Sequence, residues 1–261
     1  MVTIEQSKCI GCGACVYDCV AGNLKLEGGK AKSGGQCILC GHCVAICPAG
    51  AVSIPEYEMG GVEEYDENRF GFDINNLLHT IKFRRSIRQY KNQLIEQDKL
   101  ENIIQAGRYT ATGSNSQACQ FVIVQGRLPE FKEIIWDGLK SITENPSGLY
   151  EELIATFKNF TNMKAQGTDY LFRNSPALIY IAAENTIDAG LAAQNMELAA
   201  ISQGLGMLYN GFLVYAASML PSAREWLAIK DKPIATCMLV GYPKVGYKRT
   251  APRRAANARI L

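Results

Sequence analysis

Eight of the chain's ten cysteines lie between Cys9 and Cys47, and their spacing constrains the fold more than any other feature. They form two runs of the pattern C-x2-C-x2-C-x3-C: Cys9, Cys12, Cys15 and Cys19, then Cys37, Cys40, Cys43 and Cys47. A shift of 28 positions lays the first run on the second, and also lays Gly13 on Gly41, Val16 on Val44, Ala21 on Ala49 and Gly22 on Gly50. A repeat this short cannot bury a sufficient apolar core, so bound metal must supply the missing stability. In a reducing compartment such crowding points to metal ligation rather than disulfides. A tetrahedral zinc site normally takes cysteines as two C-x2-C pairs. Three thiolates at successive three-residue spacing instead wrap one loop around a cube and bind three of its irons, leaving the fourth iron to a thiolate from elsewhere.

Across residues 1–55 this pattern resembles the two-cluster bacterial ferredoxin domain, in which the fourth cysteine of each run ligates the other cluster. The resemblance implies one [4Fe–4S] cluster held by Cys9, Cys12, Cys15 and Cys47, and a second held by Cys37, Cys40, Cys43 and Cys19. One departure is visible. Pro48 follows the second run, but Val20 stands at the matching position of the first. That proline shapes an exit turn and ligates nothing, so both clusters are expected. Ala14, Val16, Val44 and Ile46 are expected to shield the sulfurs. His42 reads as an exposed loop residue and His79 as a surface helix residue.

The 261 residues allow one large domain beside this small one. The net charge of +2 gives no general drive towards nucleic acid or anionic membrane. No apolar run approaches the roughly 18 residues of a membrane span. Met1 to Lys8 has no apolar core of signal-peptide type, so a cytoplasmic protein is expected. The acidic stretch within 56–76 reads as a linker. From 77 to 261, helical and extended patterns alternate. Leu128, Phe131, Ile134, Ile135, Leu139 and Ile142 repeat at helical spacing, as do Leu149, Leu153, Phe157 and Phe160. The Ala-rich segment from Asp188 to Gln203 reads as a helix ending at Gly204. Phe121 to Val124, Ala177 to Ala182 and Thr236 to Val240 have strand length. Helices dominate, so the expected class is α+β, with a small ferredoxin domain followed by a larger α+β domain.

No P-loop is present, and Gly204-Leu-Gly-Met-Leu-Tyr fails as a dinucleotide fingerprint because Tyr209 replaces the third glycine. Arg84, Arg85, Ser86 and Arg88 group within five residues; arginine forks suit phosphate oxygens, although a basic solvated helix start carries the same residues. Three further segments bear on the choice: Ala111-Thr-Gly-Ser-Asn-Ser-Gln, Gly204 through Phe212, and Gly241-Tyr-Pro followed by Arg249, Arg253 and Arg254. In this order and spacing they resemble the nitroreductase family of FMN enzymes over essentially all of 77–261. The whole chain looks like a ferredoxin–nitroreductase fusion.

The resemblance implies that Arg84, Arg85, Ser86 and Arg88 hold the FMN phosphate and the polar edge of the ring. It implies that Thr112, Gly113 and Asn115 reach the flavin of the other subunit of a homodimer. Leu208, Tyr209, Asn210 and Gly211 match the segment packed along the ring, and Arg253 and Arg254 match late basic residues at the phosphate. The segment 255–261 is open to the role of embracing the partner. Two departures lie near the cofactor: Gln117-Ala118-Cys119 stands where Gln-Pro-Trp is usual, and Ala111 where proline is usual. Cys119 reads as a reactive thiol or, more simply, a small buried residue, and Cys237 as core. Tyr209 either covers the flavin or fills core. No side chain stands out as an acid or base.

Three functions follow. The first passes electrons from the clusters to FMN and on to a small electron-poor acceptor, such as a nitroaromatic or quinone, with an external ferredoxin as donor. The second takes hydride from NAD(P)H at FMN, with the clusters as auxiliary carriers. The third is a redox carrier or sensor without turnover.

Overall fold

The computed structural model describes residues 1–71, 73–144 and 151–261, which fall into two compact units. The expected helical position Leu149 lies outside the described residues.

The first unit comprises Met1–Gly71 together with Thr112–Ser116. Its elements are β1 (Thr3–Ile4), α1 (Ala14–Tyr17), β2 (Leu24–Glu27), β3 (Lys30–Ser33), α2 (His42–Ala45), β4 (Val52–Ser53) and α3 (Glu67–Phe70). Strand β1 pairs antiparallel with β4, joining the two ends of the cysteine repeat. Strands β2 and β3 form a hairpin whose turn is Gly28-Gly29, both at positive φ, as a tight two-residue hairpin requires. The repeat seen in the sequence recurs in the backbone: Gly13 and Gly41 stand at φ 77° and 78°, each opening a one-turn helix. The apolar cluster of this unit is small, built around Val2, Leu24, Val52 and Ile54 and completed by the cysteines themselves.

The second unit comprises Phe72–Ala111 and Gln117–Leu261. It contains α4 (Ile74–Phe83), α5 (Gln97–Arg108), β5 (Gln120–Val124), α6 (Leu128–Glu144), α7 (Glu151–Ala165), β6 (Ala177–Ala182), α8 (Thr186–Ser202), β7 (Gly206–Tyr209), α9 (Gly211–Met219), α10 (Pro221–Trp226) and β8 (Ile234–Gly241). Among the described residues the sheet runs β5-β6-β8-β7 and every pairing is antiparallel. Every residue of β6 is buried. Its alternate side chains enter different cores: Leu178, Tyr180 and Ala182 join Phe131, Ile135, Phe157, Leu213 and Ala223, while Ala177, Ile179 and Ile181 join Leu100, Ile103, Ala192, Met196 and Ala200. Helices therefore cover both faces: α6, α7, α9 and α10 on one, α5 and α8 on the other. That double burial is why the β6 sequence is continuously apolar rather than alternating. The architecture is α+β.

Three details depart from the sequence reading. The stretch read as a linker carries α3 and the start of α4, because Asp73 caps the latter by accepting from Asn76 N at 2.9 Å. Helix α8 begins two residues earlier than expected, because Asn185 accepts from Ile187 N at 2.9 Å. A fourth strand, β7, emerges from the segment read as a broken glycine fingerprint. Gly206 is needed there for proximity: a Cβ would stand 2.3 Å from Ile87 Cγ1.

Candidate functional site

In the first unit the eight cysteines line two cavities. Cys9, Cys12, Cys15 and Cys47 line one; Cys37, Cys40, Cys43 and Cys19 line the other. The fourth cysteine of each run thus faces the other run's cavity. Four thiols on the lining of each cavity are the donor set that a cube with four irons requires.

Backbone donors aim at the sulfurs. Asn23 N and Ala51 N, 28 positions apart, each approach a fourth-cysteine sulfur (Cys19 and Cys47) at 3.3 Å. Leu39 N approaches Cys37 Sγ, and Ala31 N approaches Cys9 Sγ, both at 3.4 Å. The backbone hydrogen bonds from Ala31 and Gly11 hold the Cys9 thiol below its ordinary value, which favours the thiolate. Burial pushes the Cys15 and Cys43 thiols up, and neighbouring cysteines add to this. A cationic core relieves both effects, since ligation removes those protons. Val16 and Val44 are half-buried beside this cluster, whereas Ile46 is exposed. His42 is exposed, but it opens α2 rather than lying in a loop, and its Nδ1 stands 3.1 Å from Asp18 Oδ2 at the end of α1. His79 is exposed and stacks on Phe83.

Gly11 shows how tightly the first loop is built. It stands at φ 71°, and a Cβ there would lie 2.0 Å from the Gly29 carbonyl oxygen. Its repeat mate is Leu39, at φ 53°, so the second loop tolerates a side chain. Gly11→Ala is therefore expected to abolish loading of the Cys9 cavity while sparing the other, read as a loss of about half the bound iron; retention of all of it would contradict this geometry.

Thr112, Gly113 and Asn115 fall on a short 3-10 turn grouped with the cysteine unit. Ser114, Asn115 and Gln117 all have positive φ. The Asn115 amide donates to the carbonyls of Ile38 and Leu39, both at 3.0 Å, between Cys37 and Cys40. No local pattern around Asn115 signals that role.

In the second unit Arg84 ends α4 and Ile87 N donates to Met207 O at 2.9 Å, so the arginine segment lies beside β7. Tyr90 fixes the turn by donating to Ile87 O at 2.8 Å. The structure thus brings Arg84, Arg85, Ser86 and Arg88 to the strand carrying Leu208 and Tyr209. Arg84 Nη1 donates to Glu197 Oε1 at 3.3 Å. Glu197 is only 1% exposed on α8, and burial pushes its carboxyl above the ordinary value despite Arg84. Arg85 Nη1 donates to the carbonyls of Lys82 and Arg84, while its Nη2 is buried without a partner. Ser86 is half-buried and Arg88 exposed.

Tyr209 is 39% exposed at the end of β7, and partial burial pushes its phenol up, with Glu197 adding to the effect. Asn210 is occupied structurally: its Oδ1 caps α9 by accepting from Leu213 N, and its Nδ2 donates to Leu171 O at 2.7 Å. Gly211 is the first residue of α9. Arg253 and Arg254 lie on an exposed C-terminal segment, where Arg253 donates to Pro252 O. No hydrogen bond or ion pair among the described residues joins them to Arg84. Cys237 is fully buried, and Cys119 is half-buried against the α8-side core with its thiol pushed up by desolvation, which disfavours a reactive thiolate.

Sequence reasoning missed Glu197. The available signal was an acidic residue in phase with the apolar stripe of α8, Ala189, Ala192, Ala193, Met196 and Ala200. The unpartnered Arg85 Nη2 and the glutamate-braced Arg84 form a corner that suits an anionic group with a polar ring edge.

Two thiol-lined cavities and a helix-covered antiparallel sheet with this arginine corner define a redox protein of the ferredoxin-linked α+β class. Residues 81–242 match the nitroreductase family and residues 8–52 match the 4Fe-4S dicluster domain, and the chain belongs to the nitroreductase family. It is 26% identical over 187 residues to the FMN reductase (NADPH) of Bacillus subtilis strain 168, covering 70% of this chain and 72% of that one. A nitroreductase with bound FMN from Bacteroides fragilis NCTC 9343 superposes with a TM-score of 0.60 at 21% identity, covering 72% of this chain and 99% of that one. A second, also with bound FMN, from Desulfitobacterium hafniense DCB-2, gives a TM-score of 0.58 at 20% identity, covering 72% and 100%. These structural likenesses concern the fold. No helix among the described residues is long and apolar enough to cross a membrane.

Proposed function

We propose that this chain is a flavin-dependent oxidoreductase that passes electrons from two [4Fe–4S] clusters to FMN and on to an electron-poor acceptor, such as a nitroaromatic or a quinone. The observation that carries the reading is the crossed lining of two cysteine cavities in a chain of the nitroreductase family. When bound, the clusters supply single-electron transfer and the flavin one- or two-electron transfer to an acceptor over its ring.

The chain's own part is to hold and tune. Cys9, Cys12, Cys15 and Cys47 bind one cluster, and Cys37, Cys40, Cys43 and Cys19 the other. Arg85 offers its buried, unpartnered Nη2 to the FMN phosphate with Ser86 and Arg88. Arg84, steadied by Glu197, meets the polar edge of the ring. Leu208 and Tyr209 line the ring, and the backbone at Asn210 and Gly211 follows it into α9. Thr112, Gly113 and Asn115 reach the flavin of the other subunit of a homodimer, and Arg253 and Arg254 serve the FMN phosphate. Ile260 and Leu261, fully exposed in a single chain, suit a tail laid on a partner.

A second reading has a specific support. Curated relatives bear the names FMN reductase (NADPH) and NADPH-dependent oxidoreductase, which favours direct hydride entry from NADPH with the clusters as auxiliary carriers. Anaerobic spectroscopy separates the two. The purified protein is expected to show flavin bands over broad iron–sulfur absorbance, and reduced ferredoxin is expected to bleach it rapidly. Bleaching by NADPH but not by ferredoxin would establish the second reading instead, and absence of either chromophore would refute the proposal.

A further inference from the structure

Buried polar groups in proteins almost always have partners, so one without is informative. Asn23 is 3% exposed, and its side-chain Nδ2 is buried with no partner. The orientation of the amide is set by its other end, since Oδ1 accepts from Gly35 N at 2.8 Å. Asn23 lines the cavity of Cys19, Cys37, Cys40 and Cys43. Its repeat mate, 28 positions on, is Ala51, which lines the other cavity and carries no side-chain donor.

The two cavities differ in a second way. Ala31 N donates to Cys9 Sγ from strand β3, on the side of the first cavity. Position 59, its counterpart by the same shift, is Met59, whose backbone N donates to Tyr57 O instead. Among the described residues, the first cavity thus has a backbone donor without a counterpart in the second, and the second is lined by an asparagine without a counterpart in the first.

We propose that Asn23 is a positioning residue for the second cluster: its Nδ2 donates to a sulfur of the group held by Cys19, Cys37, Cys40 and Cys43, and raises that cluster's reduction potential. Hydrogen bonds to sulfur favour the more negative, reduced state of a cluster. The donation matches, on the second cluster, what Ala31 N gives the first. The inference rests on the two-cluster reading above.

Iron and sulfide analysis of the whole protein comes first, since a protein without two clusters refutes that reading and not this one. On the loaded protein, redox titrations followed by electron paramagnetic resonance compare the parent with Asn23→Ala and Asn23→Leu. Leucine keeps a branched side chain of similar size with neither donor nor charge, so it carries the test if the alanine variant fails to load. One of the two reductions is expected to fall, its reduced-to-oxidised ratio at fixed potential dropping three- to tenfold, tenfold being about 59 mV for a one-electron couple. The other reduction stays in place. With asparagine labelled by 15N in the side chain, the parent's reduced cluster is expected to show a nitrogen coupling that Asn23→Ala abolishes. A fully loaded variant with both reductions unmoved, or with both shifted equally, overturns the proposal, as does an unlabelled-looking parent spectrum.

Discussion

Replacing Cys47 by alanine is expected to cost the protein the cluster of Cys9, Cys12 and Cys15, although Cys47 belongs to the second run. The reason is geometric: Cys47 lines the first cavity, and Cys19 lines the second. Iron content should fall by about half, and the remaining signal should be that of the Cys37 cavity. Paired substitutions make the point sharper. Cys9→Ala with Cys47→Ala removes two ligands of one cavity and should cost no more iron than either alone. Cys37→Ala with Cys47→Ala damages both cavities and should leave almost none. If the pairs behaved the other way round, each run would be feeding its own cluster and the crossed arrangement would be wrong. The double-cavity variant should also lose its first-unit structure, because the small apolar cluster of Val2, Leu24, Val52 and Ile54 cannot offset the entropy of ordering this loop-rich unit.

Arg84→Ala is expected to destabilise the second unit by on the order of 3 kcal/mol at neutral pH, the low end of the range for breaking a buried ion pair. The low end applies because the Arg84 side chain is 26% exposed while Glu197 is 1% exposed. For a unit of this size that corresponds to roughly 6–12 °C in the melting temperature. The sign with pH follows from Glu197. Its carboxyl lies above the ordinary 4.5 in the folded protein, chiefly through desolvation. The native state therefore binds the proton more tightly than the unfolded chain does. The stability this lends is fully present below about pH 4.5 and is lost as pH rises through the folded value. Removing Arg84 raises that value further, so the defect should be largest at neutral pH and shrink on acidification. Arg84→Ala with Glu197→Gln leaves no buried charge and should recover most of the loss. A defect that was independent of pH, or that the second substitution did not relieve, would mean the pair matters through packing. Differential scanning calorimetry between pH 4.5 and 8 reads both outcomes.

Much of this protein was written in local patterns. The cysteine spacing, the repeat and the positive-φ glycines are short-range features, and metal geometry leaves such spacing few alternatives. Strands β5, β6 and β8 and helix α6 were legible because apolar periodicity reports burial directly. Strand β7 was not, since Gly206 carries no β signal and its pairing with β8 is a tertiary fact. The start of α4 was hidden in an acidic stretch because its cap, Asp73, looks like any other acidic residue there.

What the sequence determined by itself was the eight-thiol unit, the α+β class and the family to which 81–242 belongs. The tertiary structure alone decided which distant partners particular side chains meet. It placed Glu197 against Arg84 across 113 residues of chain, left the Nδ2 of Asn23 without a partner in a residue that lines a cysteine cavity, and spent Asn210 and Asn115 on backbone carbonyls. Spacing along a chain reports which residues share a loop or a helix face. Which distant groups meet, and which buried donors are left over, depends on how whole elements pack.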